Sequence, residues 1–318
     1  MENELNFDRL YKLFREERSA EVKPSTSALH AMHWKKLAPK IGANNISSFG
    51  QAEARLLLSE LLADGLGPKT AKDRMAFIKQ MLLFASTALG ISVKPLQWRL
   101  KYPEREPRKI KSFTESEMVR IVKYGTTEIE AGRLTILPML ISILTGMRIG
   151  ETLGLKWCDI DWTHNVISVH RNVVKSYDPE KGSDFFIVGT PKTKQGYRDI
   201  PLLPSLRKIL RATADKSFNN DYYVVGNSPK PKAHNTVREA YSRFLKKHNL
   251  PDINFHGLRH TYATLLVENG VDIKTVSELL GHSQVAFTMD LYVHPSISMK
   301  KKAANRAFRK LKTTESTI

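Results

Sequence analysis

The chain has 318 residues, enough for two domains of ordinary size and too many for a single small module. Fifty Lys+Arg against 32 Asp+Glu give a formal charge of +18, which points to a polyanionic partner, nucleic acid first. Hydrophobic residues at 41% and charged residues at 26% mark a globular chain and exclude a basic disordered tail, and the single cysteine, Cys158, excludes an intramolecular disulfide or a zinc site built on several thiolates.

In chain order, Phe7, Leu10, Tyr11 and Phe14 recur at i, i+3, i+4 and i+7 and predict a first amphipathic helix, followed by helical runs at about 26–38, 48–63 and 68–88. Pro24 with Ser25 and Thr26 opens the second run. Gly65 and Gly67 close the third, Pro68 with Thr70 starts the fourth, and Gly90 ends it. The segment KYPEREPRKIK, with Pro103 and Pro107 among dense charge, forbids regular structure and reads as an exposed connector. The expected organisation is a helical domain over 1–102, a linker over 103–111 and a second domain over 112–318. Up to position 109 there are 19 basic and 12 acidic residues, and beyond it 31 and 20. Both halves are basic, as a two-domain clamp on a polyanion requires.

After the connector, Thr114 and Glu117 form a capping-box pattern for a helix to about 124, and a strongly apolar, buried helix is predicted from Arg133 to Leu144. VISV (166–169), FFIV (185–188) and YRDI (197–200) are β-prone runs that predict one small antiparallel sheet. Helices return from about Leu203, with one more β-prone run at Tyr222–Val225. In the run KKAANRAFRKLK, Ala303, Ala304, Ala307, Phe308 and Leu311 form an apolar helical stripe. The opening MENELNFDRL lacks a signal-peptide pattern, and the longest apolar stretch, Ile136 to Leu144, is too short to span a bilayer. A cytoplasmic, nucleoid-associated protein with no membrane partner is expected.

Three segments carry residues suited to phosphate chemistry. In TGMRIGE (145–151), Gly146 breaks the buried helix and sets Arg148 at the junction with the next, where a guanidinium can donate two parallel hydrogen bonds to phosphate oxygens. The plain alternative is a structural ion pair with Glu151. In HGLRH, His256, Arg259 and His260 share one helix face while Leu258, Tyr262, Leu265 and Leu266 serve the core. His256 and His260 have zinc-helix spacing, but Gly257 stands where a metalloprotease has its glutamate and Arg259 would repel a cation, so no metal is expected. The plain alternative there is a capping histidine and a solvated arginine. The third segment, LLGHS followed by TMDLYVH, places His282 ten residues before Tyr292.

Together and in this order the segments resemble the motifs of the tyrosine recombinase (phage integrase) family, over roughly residues 110–300. More loosely, LGPKTAKDRMAFIKQMLLFAS is similar to the last long helix of that family's core-binding domain. The resemblance implies a multidomain α and α+β protein: an N-terminal helical, SAM-like core-binding domain and a mixed, mainly α catalytic domain with a small antiparallel sheet, closing on the duplex as a C-shaped clamp. It implies that Arg148 and Arg259 bind the non-bridging oxygens of the scissile phosphate, that Tyr292 is the nucleophile, that His256 is the general-base or proton-shuttling residue, and that His282 binds phosphate. TPKTKQGYRDIPL resembles the turn that carries the family's catalytic lysine, with Lys192 the better match and Lys194 the alternative. Gly150 stands where many relatives have serine.

The implied function is site-specific DNA recombination through a 3′-phosphotyrosine, in the integration or excision of a prophage or mobile element. The implied partners are double-stranded DNA, a homo-tetramer on two sites, and accessory DNA-bending or directionality proteins; no cofactor is implied. Phosphodiester exchange without a carboxylate–metal cluster is physically coherent, since two arginines and a histidine supply preorganised charge stabilisation and a lysine protonates the leaving 5′ oxygen. A type IB topoisomerase and a non-catalytic DNA-binding protein are the competing readings.

Overall fold

The computed structural model describes residues 5–18, 21–104, 111–178, 183–191, 193–214 and 219–282, with Lys301 and Asn305 beyond them. Three features named above, Lys192, Tyr292 and the C-terminal apolar stripe, lie outside the described residues. Contacts divide the chain into two units. One comprises Met1–Arg108 with Lys175–Phe185, and the other Lys109–Val174 with Phe186–Ile318.

The first unit is built on four helices: α1 (Phe7–Arg18), α2 (Pro24–Ile41), α3 (Gln51–Ala63) and α4 (Pro68–Thr87). The four periodic positions of α1 are all buried, with Tyr11 stacked on Trp34 at 4.9 Å and Phe14 edge-on to Phe77 at 5.9 Å. Helix α2 starts two residues before the expected position because Pro24, lacking an N–H, fits its first turn. Helix α3 starts three residues late. Asn45 caps a separate 3-10 turn at Ile46–Ser48, and Glu53 accepts the backbone N–H of Gly50, so the α-helix begins only after that glycine. Residues 90–104 have no regular structure, yet buried Trp98 ties them to the same core against Phe49.

In the second unit α5 (Glu115–Glu130) opens with the Thr114–Glu117 capping box and continues well past the expected end at 124. Gly125 does not stop it. A Cβ there would lie 2.7 Å from Leu140, so the glycine serves close packing. The predicted apolar helix is shorter at its start: Leu134–Ile136 form a 3-10 turn, and α6 (Leu137–Thr145) begins where Pro138 falls in the first turn. All nine residues of α6 are buried. It forms the spine of a core that includes Ile121, Leu153, Trp157, Ile167, Ile200 and Leu258. Gly146 caps α6 in the left-handed conformation (φ +69°), and α7 (Ile149–Gly154) follows.

The expected single sheet is replaced by two. Strands β1 (Ile160–Asp161), β2 (Val166–Val169) and β5 (Arg198–Pro201) form an antiparallel sheet in the order β1-β2-β5, with Ile167 opposite both Ile160 and Ile200. The FFIV run belongs to β4 (Ser183–Gly189), which pairs with β3 (Asn172–Asp178) in a separate two-stranded sheet. Tyr222–Val225 is not a strand. Gly226 (φ +91°) and Asn227 (φ +43°) turn the chain at once, leaving isolated bridges from Tyr223 to Lys156 and Ser228, while Val224 and Val225 fill the core. Helices α8 (Pro204–Thr213), α9 (His234–Lys247), α10 (His256–Glu268) and α11 (Ile273–Leu280) complete the unit, with α10 packed along α6. Among the described residues no helix is long and apolar enough to cross a membrane.

Candidate active site

A cavity of about 520 Å³ opens in the second unit. Arg148, His256, Arg259 and His282 line it, together with Glu151, Asn172, Pro191, Thr193, Gly196 and Gly281. Four of the six expected site residues, from three separated segments, therefore share one wall.

Helix ends place the two arginines. Arg148 is the residue before α7, with its backbone N–H donating to Glu151 Oε2 at 2.9 Å and its Nη1 to Glu151 Oε1 at 2.7 Å. The side chain stays 39% exposed, so the ion pair orients the guanidinium without taking it out of the cavity. Arg259 is not the solvated arginine of the plain alternative: it is 2% exposed. Its Nη1 donates to the Gly146 carbonyl at 2.8 Å and its Nη2 to the Leu280 carbonyl at 2.6 Å. Those carbonyls sit at the C-terminal ends of α6 and α11, both closed by left-handed glycines, Gly146 and Gly281. Two helix C-termini, each carrying partial negative charge, thus hold one buried cation in a fixed orientation.

Glu151 is the counter-charge of the whole site. It also accepts from Arg198 Nη2 at 2.8 Å, and the Arg198 side chain is 6% exposed. Burial alone would favour its protonated form; Arg198 foremost, with Arg148 and Arg259, overrides that and holds its pKa at about 2. Arg198 further donates from Nε to the Leu279 carbonyl at 2.7 Å and from Nη1 to the Gly196 carbonyl at 3.2 Å. One side chain therefore ties β5, the turn at Thr193–Gly196 and the end of α11 to the helix behind Arg148. Sequence reasoning missed it. The available signal was strand period two, since Arg198 falls on the same face as buried Ile200.

The histidines are held neutral. Burial, helped by His260, Arg259 and Arg148, lowers His256 to about 4. Burial, helped by Arg259, Arg148 and Arg198, lowers His282 to about 3. His256 begins α10 and lies edge-on to His260, ring centroids 4.6 Å apart. Lys194 is exposed on the 3-10 turn Lys194–Gly196 and does not line the cavity, whereas Pro191 and Thr193, on either side of position 192, do. Among the described residues no group of three or more His, Cys, Asp or Glu could hold a metal ion.

Such a wall offers two guanidiniums and two neutral imidazoles to a tetrahedral oxyanion, the arrangement that phosphoryl transfer needs. Residues 111–299 match the model of the phage integrase family. The chain is 30% identical over 295 residues to a tyrosine recombinase XerC-like protein of Caldanaerobacter subterraneus subsp. tengcongensis, covering 86% of this chain and 74% of that one. It is 32% identical over 176 residues to the ICEBs1 integrase of Bacillus subtilis, covering 52% of this chain and 46% of that relative. In fold it is similar to the Tn1549 transposon integrase solved with circular intermediate DNA, with a TM-score of 0.76 at 20% identity over 95% of this chain and 99% of that one.

Proposed function

The chain belongs to the phage integrase family of tyrosine recombinases, and from that premise we propose that it cleaves and rejoins DNA at specific sites to integrate or excise a mobile element. The observation that carries this reading is the convergence of Arg148, Arg259, His256 and His282 on one cavity. Arg148 and Arg259 grip the non-bridging oxygens of the scissile phosphate. Tyr292 attacks phosphorus through its phenolic oxygen, giving up its proton toward the neutral His256. The P–O bond to the 5′ oxygen breaks as the 3′-phosphotyrosine forms, and Lys192 delivers a proton to that leaving oxygen. His282 donates a hydrogen bond to the phosphate. The phosphotyrosine conserves the energy of the broken bond, so a 5′-hydroxyl from a second duplex can reverse the step and join a new strand without ATP. The two arginines supply the charge stabilisation, and no step is routed through a metal or cofactor.

Strand exchange between two duplexes needs four cleavages, so four copies act on two sites, with both basic units contacting DNA and accessory DNA-bending or directionality proteins setting the outcome. The substrate places the protein at the bacterial nucleoid in the cytoplasm.

The test is denaturing electrophoresis of the protein with a nicked suicide duplex, followed by peptide mapping of the DNA-linked residue. Tyr292→Phe removes one oxygen while keeping ring volume, so it should retain DNA affinity and lose both the covalent complex and recombination. An adduct on another tyrosine, such as Tyr262, overturns the assignment. Supercoil relaxation without partner exchange favours a topoisomerase.

A further inference from the structure

Helix α7 carries two glycines one turn apart, and both face the chain that enters β3. A Cβ on Gly154 would lie 3.1 Å from the Arg171 backbone, and a Cβ on Gly150 would collide with Asn172 Oδ1 and the Val173 carbonyl. Neither glycine has a positive φ. Their use is space, in a helix that glycine otherwise weakens. The gap lets Arg171–Val173 cross α7 at backbone distance and brings the Asn172 side chain into the cavity wall beside Arg148 and His256. Arg171 anchors the crossing, with Nη1 2.8 Å and 2.6 Å from the two carboxylate oxygens of Asp159.

The three charged neighbours on this wall are committed: Arg148 to Glu151, Glu151 to Arg198, and Arg259 to two carbonyls. Asn172 differs. Its half-buried amide makes no hydrogen bond to any described residue. An amide that lines the cavity with no partner among the described residues is free to bond a ligand there. An amide can add a donor to an oxyanion site without adding charge to a pocket already rich in arginine.

We propose that Asn172 is a substrate-binding residue of this pocket, donating its amide N–H to a non-bridging oxygen of the phosphate that Arg148 and Arg259 hold, with Gly150 and Gly154 there to deliver it. The assignment rests on the recombinase reading above. It explains why position 150 carries no side chain in this protein: anything larger would displace the amide.

The experiment is single-turnover covalent-complex formation on a nicked suicide duplex, with DNA affinity and unfolding temperature measured alongside. Asn172→Ala should slow covalent-complex formation about 10- to 100-fold, the range of one hydrogen bond to a charged acceptor. Asn172→Asp, which turns a carboxylate toward the phosphate, should be slower still, and both should keep the unfolding temperature of the parent. Asn172→Ser should recover part of the rate. On a duplex whose scissile phosphate carries a methylphosphonate, Asn172→Ala should cost nothing further with one stereoisomer and its full factor with the other. Equal rates for the parent, Asn172→Ala and Asn172→Asp overturn the assignment, as does a full additional loss with both stereoisomers. A parent protein that forms no covalent complex overturns the recombinase reading and this assignment with it.

Discussion

Arg198 Nη2 lies 2.8 Å from Glu151 Oε2 with both side chains buried, so the strand beyond the lysine-bearing turn is bonded to the carboxylate that orients Arg148. A buried pair of this kind is costly to break one side at a time. Glu151→Gln should destabilise the protein by about 3–5 kcal/mol in urea unfolding, because buried Arg198 keeps its charge without a counter-charge. Arg198→Met should cost a similar amount, and the double variant should recover much of the loss. Additive losses would mean that the two side chains act independently.

The same carboxylate sets an acid limit. Its pKa of about 2 lies below the ordinary value of 4.5, so the stability it lends is complete above the ordinary value and lost as pH falls through about 2. Between pH 5 and 2 the parent protein should lose roughly 3 kcal/mol more than Glu151→Gln. Urea midpoints across that interval measure it.

His256 and His282 add to this acid sensitivity with the same sign of coupling. Both are lowered from 6.5, to about 4 and about 3, so the folded protein binds fewer protons than the unfolded chain. Their neutral forms are undisturbed above the ordinary histidine value, and stability erodes as pH falls below it toward 4 and 3. Nitrogen-15 NMR at pH 5 should find both rings neutral in the free protein. Binding of a DNA phosphate, an added negative charge, should raise both values. Rings already protonated at pH 6 would contradict the burial that the fold imposes.

Lys192 and Lys194 are separated by a leaving-group test. Lys192→Ala should cripple cleavage of ordinary DNA yet cleave a duplex with sulfur at the 5′ bridging position, because a thiolate leaves without a proton. Lys194→Ala, at an exposed position off the cavity, should be mild on both. The reverse pattern moves the role of general acid to Lys194.

The charge of +18 gives the last expectation. If about six to ten phosphates are neutralised, affinity should fall by roughly 10³- to 10⁵-fold between 50 and 200 mM salt. Titration at four salt concentrations measures the slope, and a flat response would exclude extensive backbone contact.

Much of the fold is local and was legible in the sequence. The apolar spacing of α1, the Thr114–Glu117 box and Pro68 at the start of α4 each act within a few residues, so reading them needs no tertiary knowledge. Arg148, His256, Arg259 and His282 stand out in the sequence as residue types in motif order, and the folded chain brings all four to one cavity.

The tertiary structure decided what each of these groups is attached to. Whether Arg259 is solvated or buried depends on two helix C-termini, at Gly146 and Leu280, that meet only after folding. The close packing of Gly125 on Leu140 appears only once α6 is in place. FFIV is β-prone in any register, and pairing with β3 rather than β2 is a choice among strands that local propensity cannot make. Arg198 and Asn172 carry no motif of their own. A strand face brings Arg198 to Glu151 behind the cavity, and a pair of glycines brings Asn172 to its wall; both placements are properties of the packed chain alone.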